Sequence, residues 1–455
     1  MDFRPRIHFS PERGWINDPN GLIHFKGMYH LFFQFNPYST RWGMMHWGHA
    51  VSRDMIDWQV LPIALTPSEE YELDEKGGCF SGSAIEKDGR LYLFYTGSVI
   101  RDGRTIQTQN MAFSDDGIHF EKHPGNPIIS ELPPGSSDHF RDPKVFRYGG
   151  TYFMVTGCSI DGDAAVFLFA SDDLVDWGFR SVLFRGDHRH GTLMECPDLF
   201  RLGSKWILTG SPEHHPEGIR SLVLIGDFDA DSGRFIEQGY MPADYGYEHY
   251  AAQSFESPDG RRISFAWMNE WEWMSTFAGF SKGPDDDWCG CLTMPREFSL
   301  IDGSLRMHPA KEATGRFRDG WFSRILELSP DAHRIDLPDG CWGIEVRYSE
   351  SRMRSSDLML DIVDSSGFLA TMDLNPERGY ATIGCRGRGP CVIPISRHAE
   401  HSLSVFFDHC ALEVFIDGGE RCASFMVYPS SEDLKLEART PQKTASADIA
   451  IRSLQ

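Results

Sequence analysis

Leu22-Ile23-His24-Phe25-Lys26-Gly27-Met28-Tyr29-His30-Leu31-Phe32-Phe33-Gln34-Phe35 sets two β-prone runs on either side of Lys26-Gly27-Met28, which reads as a β-hairpin turning at glycine. The same plan recurs down the chain. Ser83-Ala84-Ile85-Glu86 to Leu91-Tyr92-Leu93-Phe94-Tyr95 turns at Gly89, and Lys144-Val145-Phe146-Arg147 to Tyr152-Phe153-Met154-Val155 turns at Gly150. Asp198-Leu199-Phe200-Arg201 to Trp206-Ile207-Leu208 turns at Gly203, and Ala252-Gln253-Ser254-Phe255 to Ile263-Ser264-Phe265-Ala266-Trp267 turns at Gly260. Three copies continue into a strand, an acidic turn and an aromatic anchor: His49 to Asp54 then Trp58, Ala112 to Asp116 then Phe120, and Phe169 to Asp173 then Trp177.

Five four-stranded units without convincing helices between them predict an all-β five-bladed β-propeller, because a small sheet buries its faces only against its neighbours in a ring. A plain all-β sandwich would not repeat the same four-part phase. Beyond about residue 311 the rhythm changes to short alternating strands such as Leu358-Met359-Leu360-Asp361-Ile362-Val363 and Leu412-Glu413-Val414-Phe415-Ile416, separated by turns such as Asp417-Gly418-Gly419. The expected organisation is a propeller over 1–311, a linker over 312–330 and a C-terminal β-sandwich over 331–455.

Composition narrows the function. At 455 residues two domains are expected, and 41% hydrophobic content with 13% aromatics belongs to a folded chain. No apolar run reaches membrane-spanning length, and Met1-Asp2-Phe3-Arg4-Pro5-Arg6 has no apolar stretch behind it to make a secretory signal, so a cytoplasmic location is expected and a membrane partner is not. The ten cysteines form no C-x-x-C pair, so reduced and mostly buried thiols are expected. A formal net charge of −22 argues against a nucleic-acid partner.

The chemistry lies just ahead of the hairpins. In Trp15-Ile16-Asn17-Asp18-Pro19-Asn20-Gly21 the proline holds Asp18 extended and Asn20-Gly21 favours a turn, so Asp18 sits at the mouth of a strand. Asp142-Pro143 and Glu195-Cys196-Pro197 stand at the same phase of units three and four. Since the first strand of a blade is innermost, three carboxyl groups converge on the channel mouth. Repulsion and desolvation make that gathering unfavourable for stability alone. Divalent-cation binding with His46, His49 or His249 is one use, but no spacing matches a metal motif. Glycoside hydrolysis by paired carboxyl groups is the other. The neighbourhood favours sugar: Trp15, Trp42, Trp47, Phe80 and Trp267 supply apolar walls, and Asn17, Gln34, Ser81 and Arg141 supply hydrogen bonds. Arg141 beside Asp142 also has the makings of a simple ion pair.

The blocks Trp15 to Gly21, Phe80-Ser81-Gly82-Ser83, Arg141-Asp142-Pro143 and Glu195-Cys196-Pro197 resemble, in order and spacing, those of glycoside hydrolase family 32, the invertase, fructanase and sucrose-6-phosphate hydrolase family. Trp42-Gly43, His46-Trp47-Gly48-His49 and Thr293-Met294-Pro295-Arg296-Glu297 extend the likeness, as do Phe406-Phe407-Asp408 and Val414-Phe415-Ile416 in the sandwich. The resemblance implies a retaining β-fructosidase with Asp18 as nucleophile, Glu195 as general acid/base and Asp142 as transition-state stabiliser. It further implies a fructose subsite of Asn17, Gln34, Trp42, Phe80, Ser81, Arg141 and Trp267, and no metal or organic cofactor.

Sucrose and short fructo-oligosaccharides are the expected small-molecule partners. Sucrose 6-phosphate is a competitor whose phosphate would be met by His214, His215 and Arg220, and a fructosyltransferase would use the same triad. A homo-oligomer is compatible with this reading. Tyr245-Gly246-Tyr247-Glu248-His249-Tyr250-Ala251 departs from the family's Gly-x-Asp-x-Tyr-Ala by placing Glu248 at the aspartate, which is expected to reshape the pocket. The segment from Glu270-Trp271 to Asp287-Trp288 is expected to form its rim.

Overall fold

The computed structural model describes residues 3–269, 271, 287–349, 358–441 and 445–454. The chain divides into two compact units, one of Ser10–Ala243 and His249–Leu292, the other of Met1–Phe9, Asp244–Glu248 and Thr293–Gln455. Both are built almost wholly of strands.

Among the described residues, the first unit holds four antiparallel sheets in which sequence neighbours pair. They are β1 (Gly14–Phe25), β2 (Met28–Asn36), β3 (His46–Ser52) and β4 (Trp58–Leu65); β5 (Gly78–Lys87), β6 (Arg90–Arg101), β7 (Arg104–Ser114) and β8 (Glu121–Lys122); β9 (Ser136–Tyr148), β10 (Thr151–Ile160), β11 (Asp163–Ser171) and β12 (Gly178–Arg185); and β13 (Leu193–Leu202), β14 (Lys205–Glu213), β15 (Leu222–Asp229) and β16 (Arg234–Pro242). The hairpin β17 (Tyr250–Glu256) and β18 (Arg262–Trp267) follows, and β19 (Trp288–Cys289) runs parallel to the start of β1. The expected glycine turns each join the first two strands of a set. At Lys26-Gly27 and Asp88-Gly89 both residues have positive φ, the turn geometry that matches strand twist.

The acidic turn has a local cause. Asp54 Oδ1 accepts hydrogen bonds from the backbone N–H groups of Ile56 (3.0 Å) and Asp57 (2.9 Å), and Asp116 and Asp173 do the same for the two residues at the same offsets. These Asx turns swing the chain back so that the aromatic anchor reaches the preceding sheet. Phe120 meets Phe32 edge-on at 5.4 Å and Trp177 meets Phe94 at 5.8 Å. Trp58 of the first sheet meets Phe265 of β18 at 6.1 Å. The first strands touch in the same succession, β1 to β5 to β9 to β13 to β17, and β17 touches β1.

In the second unit, one six-stranded sheet runs in the order Phe317–Leu328, Ala445–Leu454, Cys341–Ser349, Glu400–Asp408, Ala411–Ile416 and Arg421–Met426. The other runs His333–Asp336, Lys435–Arg439, Leu358–Asp364, Gly367–Asn375, Tyr380–Cys385 and Cys391–Pro394. Trp342, Ile344 and Phe407 of one share a core with Leu360, Ile362 and Leu436 of the other. Residues 312–330, expected as a linker, take in most of the helical turn Lys311–Thr314 and the whole edge strand Phe317–Leu328. That strand is mostly exposed, so its apolar alternation is weak and reads as connector.

Candidate active site

Each of β1, β5, β9, β13 and β17 breaks register near its start. The shifts fall between Ile16 and Pro19, Phe80 and Gly82, Arg141 and Lys144, Glu195 and Asp198, and Tyr250 and Gln253. Three of these bulges contain a proline, Pro19, Pro143 or Pro197, which has no N–H to give the ladder. A bulge re-aims the side chain beside it. Asp142 and Cys196 consequently adopt left-handed backbone, φ 64° and 48°, and the Asp142 N–H is held by Thr96 Oγ1 at 3.0 Å. Positive φ at such residues is uncommon and persists only where the surroundings enforce it.

The bulges bring Asp18, Asp142 and Glu195 to one cavity of about 410 Å³. Asp18 Oδ1 accepts from Asn17 Nδ2 (2.9 Å) and Oδ2 from Ser81 Oγ (2.5 Å), while Trp15 Nε1 donates to Asn17 Oδ1 (2.7 Å) and fixes that amide. Asp142 Oδ2 accepts from the Cys196 N–H at 2.8 Å. Cys196 Sγ lies 3.5 Å from both Asp18 Oδ2 and Asp142 Oδ2, so the two oxygens are separated by at most twice that distance. Glu195 Oε1 accepts from Arg141 Nε (3.0 Å) and Nη2 (2.7 Å), and Oε2 accepts from the Tyr250 hydroxyl. Arg141 also donates to His139 Nδ1 (2.7 Å) and Glu213 Oε1 (3.4 Å).

Burial raises the pKa of Asp18, against the hydrogen bonds from Ser81 and Asn17 and with the nearby Glu195 adding to the rise. Burial pushes Asp142 up to about 7; Arg141 opposes this, and the charges of Glu195 and Asp18 reinforce it. The Cys196 thiol is raised well above its usual range by burial and by the three carboxylates, so it stays protonated and acts as a donor. Burial likewise keeps the Tyr250 hydroxyl protonated.

Asn17, Gln34, Trp42, Phe80, Ser81 and Arg141 all line this cavity. Trp267 does not: it is fully buried and packs behind Trp271, with ring centroids 4.9 Å apart, and against Trp15 at 5.8 Å. The exposed wall is Trp271, at the beginning of the segment expected as the rim, and it faces Trp42 edge-on at 6.5 Å. Residues 270 and 272–286 of that segment lie outside the described residues. Lys76 and Glu213 complete the charged lining, and His139, whose pKa burial lowers, stands beside Arg141.

Glu248 does not line the cavity. It is buried in the second unit, where it pairs with Arg388 at 2.6 Å and accepts from the Met426 N–H at 3.1 Å. Nor do His214, His215 and Arg220 line the cavity; His215 Nδ1 accepts from the Glu217 N–H and Arg220 donates to the Gly218 carbonyl. His46, His49 and His249 engage the Met44 carbonyl, His30 and Ser221 respectively. Tyr250 and Cys196 are contacts that the sequence alone did not reveal as parts of the site, although Tyr250 stands in the Gly-x-Asp-x-Tyr-Ala-like stretch and Cys196 inside Glu-Cys-Pro.

The geometry finds its counterpart among known proteins. Residues 8–309 match the glycosyl hydrolases family 32 N-terminal domain and residues 344–453 the family 32 C-terminal domain. A sucrose-6-phosphate hydrolase of Escherichia coli is 36% identical over 95% of this chain and 91% of its own length, and a raffinose invertase of Escherichia coli is 35% identical over the same shares. A solved family 32 β-fructofuranosidase of Bombyx mori, a variant in complex with sucrose, is 33% identical, with a TM-score of 0.86 over 100% of this chain and 94% of that one. The chain belongs to glycoside hydrolase family 32.

Proposed function

We propose that the protein is a retaining β-fructosidase that releases terminal β-linked fructose from sucrose and short fructo-oligosaccharides. The observation that carries this reading is the convergence of Asp18, Asp142 and Glu195 from three bulged first strands onto one cavity walled by Trp42, Phe80 and Trp271. Asp18 attacks the anomeric carbon as the glycosidic C–O bond breaks, and Glu195 delivers a proton to the leaving oxygen. Glu195 then takes a proton from water, whose oxygen displaces Asp18 and frees fructose with retained configuration. Two side-chain donors hold the Asp18 oxygens at fixed angles, which orients the attacking lone pair. Arg141 and Tyr250 grip opposite oxygens of Glu195 and restrict its carboxyl plane. Asp142 accepts the sugar hydroxyls.

The succession of first-strand contacts that returns from β17 to β1, with Trp58 resting on Phe265, supports a closed five-bladed propeller. The extents of the two family matches, 8–309 and 344–453, support a functional boundary near residue 311. No helix among the described residues is long and apolar enough to cross a membrane. We place the protein in the cytoplasm, where sucrose and its short fructosides arrive by uptake.

Sucrose 6-phosphate is a second reading. It rests on the Escherichia coli relative of that name and on Lys76, an exposed cation lining the cavity. The test is the specificity constant for sucrose, sucrose 6-phosphate and 1-kestose on the wild type and the Asp18→Ala variant. We expect the variant to lose several orders of magnitude on every substrate. Near-wild-type turnover by Asp18→Ala would overturn the assignment.

A further inference from the structure

The second unit carries a cleft of about 730 Å³ on the outer face of the sheet that contains Leu358–Asp364, within the range of ligand clefts. Its floor is a cross-strand row. Arg334 stands opposite Glu437, Glu437 opposite Asp361, and Asp361 opposite Thr371 on four successive strands. Like charges directly opposite one another weaken a sheet, so Glu437 against Asp361 needs compensation. The pair is sustained by two guanidinium groups. Arg334 Nε lies 2.8 Å from Glu437 Oε1, and Arg439 Nη2 lies 2.7 Å from Asp361 Oδ2. Lys435 and Asp364 also line the cleft, paired with Asp336 (2.6 Å) and Arg386 (2.5 Å), so three cations of the lining balance three carboxylates and leave it without net charge yet dense in donors and acceptors.

Phe368, half exposed, stands on this cleft next to the charged row. An ionic ligand would find its counter-charge already taken. A neutral polyhydroxyl ligand would not: its hydroxyls can donate to a carboxylate and accept from a guanidinium at once, and its C–H face can rest on an aromatic ring. We propose that this cleft is a second, non-catalytic sugar-binding site that takes the fructosyl units of fructo-oligosaccharides, for which inulin and levan serve as polymeric probes. The choice of fructosyl ligand rests on the β-fructosidase reading above; the cleft and its neutral polar character do not.

The test is affinity electrophoresis of the full-length Asp18→Ala protein in gels containing inulin or levan, alongside Asp18→Ala/Phe368→Ala and Asp18→Ala/Glu437→Gln. Two different cleft substitutions, each checked by thermal melting, separate loss of binding from loss of fold. The expected result is retardation by at least one polysaccharide that weakens about tenfold in apparent affinity in both double variants. In the Asp18-intact protein, Phe368→Ala and Glu437→Gln should leave kcat/KM on sucrose within about twofold. Absence of retardation by both polysaccharides, or retardation indifferent to Phe368 and Glu437, overturns the proposal. Failure of the wild type to hydrolyse sucrose would instead strike the catalytic reading, since the gel measurement does not depend on turnover.

Discussion

Replacing Asp142 by asparagine should destroy activity and stabilise the protein, the latter only at neutral to alkaline pH. The amide keeps the shape of the carboxyl group and an oxygen to accept the Cys196 N–H. What it removes is a charge in a site where the side chain is almost fully buried. Burial and the neighbouring carboxylates lift Asp142 from 3.8 to about 7. The folded protein therefore binds the proton more tightly than the unfolded chain. The stability tied to that proton is complete below about pH 4 and is lost as pH rises towards 7. At ~1.4 kcal/mol per pKa unit the ceiling is about 4 kcal/mol, and water entry and side-chain relaxation leave an expected ~1–2 kcal/mol. Asparagine carries no proton to lose. Thermal melting of the two proteins should give nearly equal midpoints at pH 4.5 and a variant ~1–3 °C higher at pH 8. Sucrose turnover should fall by at least ~10³-fold at both pH values. A midpoint difference that does not change with pH, or that reverses sign, would refute the reasoning about the buried carboxylates.

Other outcomes follow from single contacts. Tyr250→Phe removes one of the groups gripping Glu195 and should lower kcat ~10–100-fold on sucrose with KM changed less than threefold, measured by steady-state glucose release. Trp42→Ala removes the aromatic wall that faces Trp271 across the cavity and should raise KM ~5–20-fold with a smaller loss in kcat; an unchanged KM would remove Trp42 from the subsite. His8, buried between Asp408 and Glu413, is held protonated up to about 9 by hydrogen bonds and charges that outweigh its burial. A raised histidine contributes fully below its unfolded value of 6.5 and loses that contribution as pH rises through 9, so the second unit should melt lower at pH 9.5 than at pH 7. In His8→Gln the midpoint should be lower at pH 7 and nearly flat across that interval, as followed by differential scanning calorimetry.

What the sequence disclosed, and what it withheld, has a physical pattern. Turn chemistry is local, so the hairpins at Gly27 and Gly89 and the Asx turns at Asp54 and Asp116 were readable. The three carboxyl positions were readable for the same reason, because Asp18-Pro19, Asp142-Pro143 and Glu195-Cys196-Pro197 carry a proline where the ladder must break. Long-range side-chain choices were not. Arg141 stands next to Asp142 in the chain, yet its hydrogen bonds go to Glu195, 54 residues away, because the bulge turns successive side chains in different directions. Trp267 and Trp271 are equivalent by composition, and only packing decides that the first is buried beneath the second. The motif position of Glu248 points to the pocket, whereas its carboxylate is taken by Arg388 and the Met426 N–H. The edge strand Phe317–Leu328 was not legible because it is exposed on both faces over most of its length, which removes the alternation that marks a half-buried strand.

The decisive measurement is the stereochemistry of methanolysis. Sucrose turned over in aqueous methanol yields a methyl fructofuranoside whose anomeric configuration does not equilibrate, and proton NMR can read it. Attack by Asp18 followed by attack from the same face as the departed glucose requires methyl β-fructofuranoside. Formation of the α-anomer would mean a single displacement, and Asp18 would not be the nucleophile.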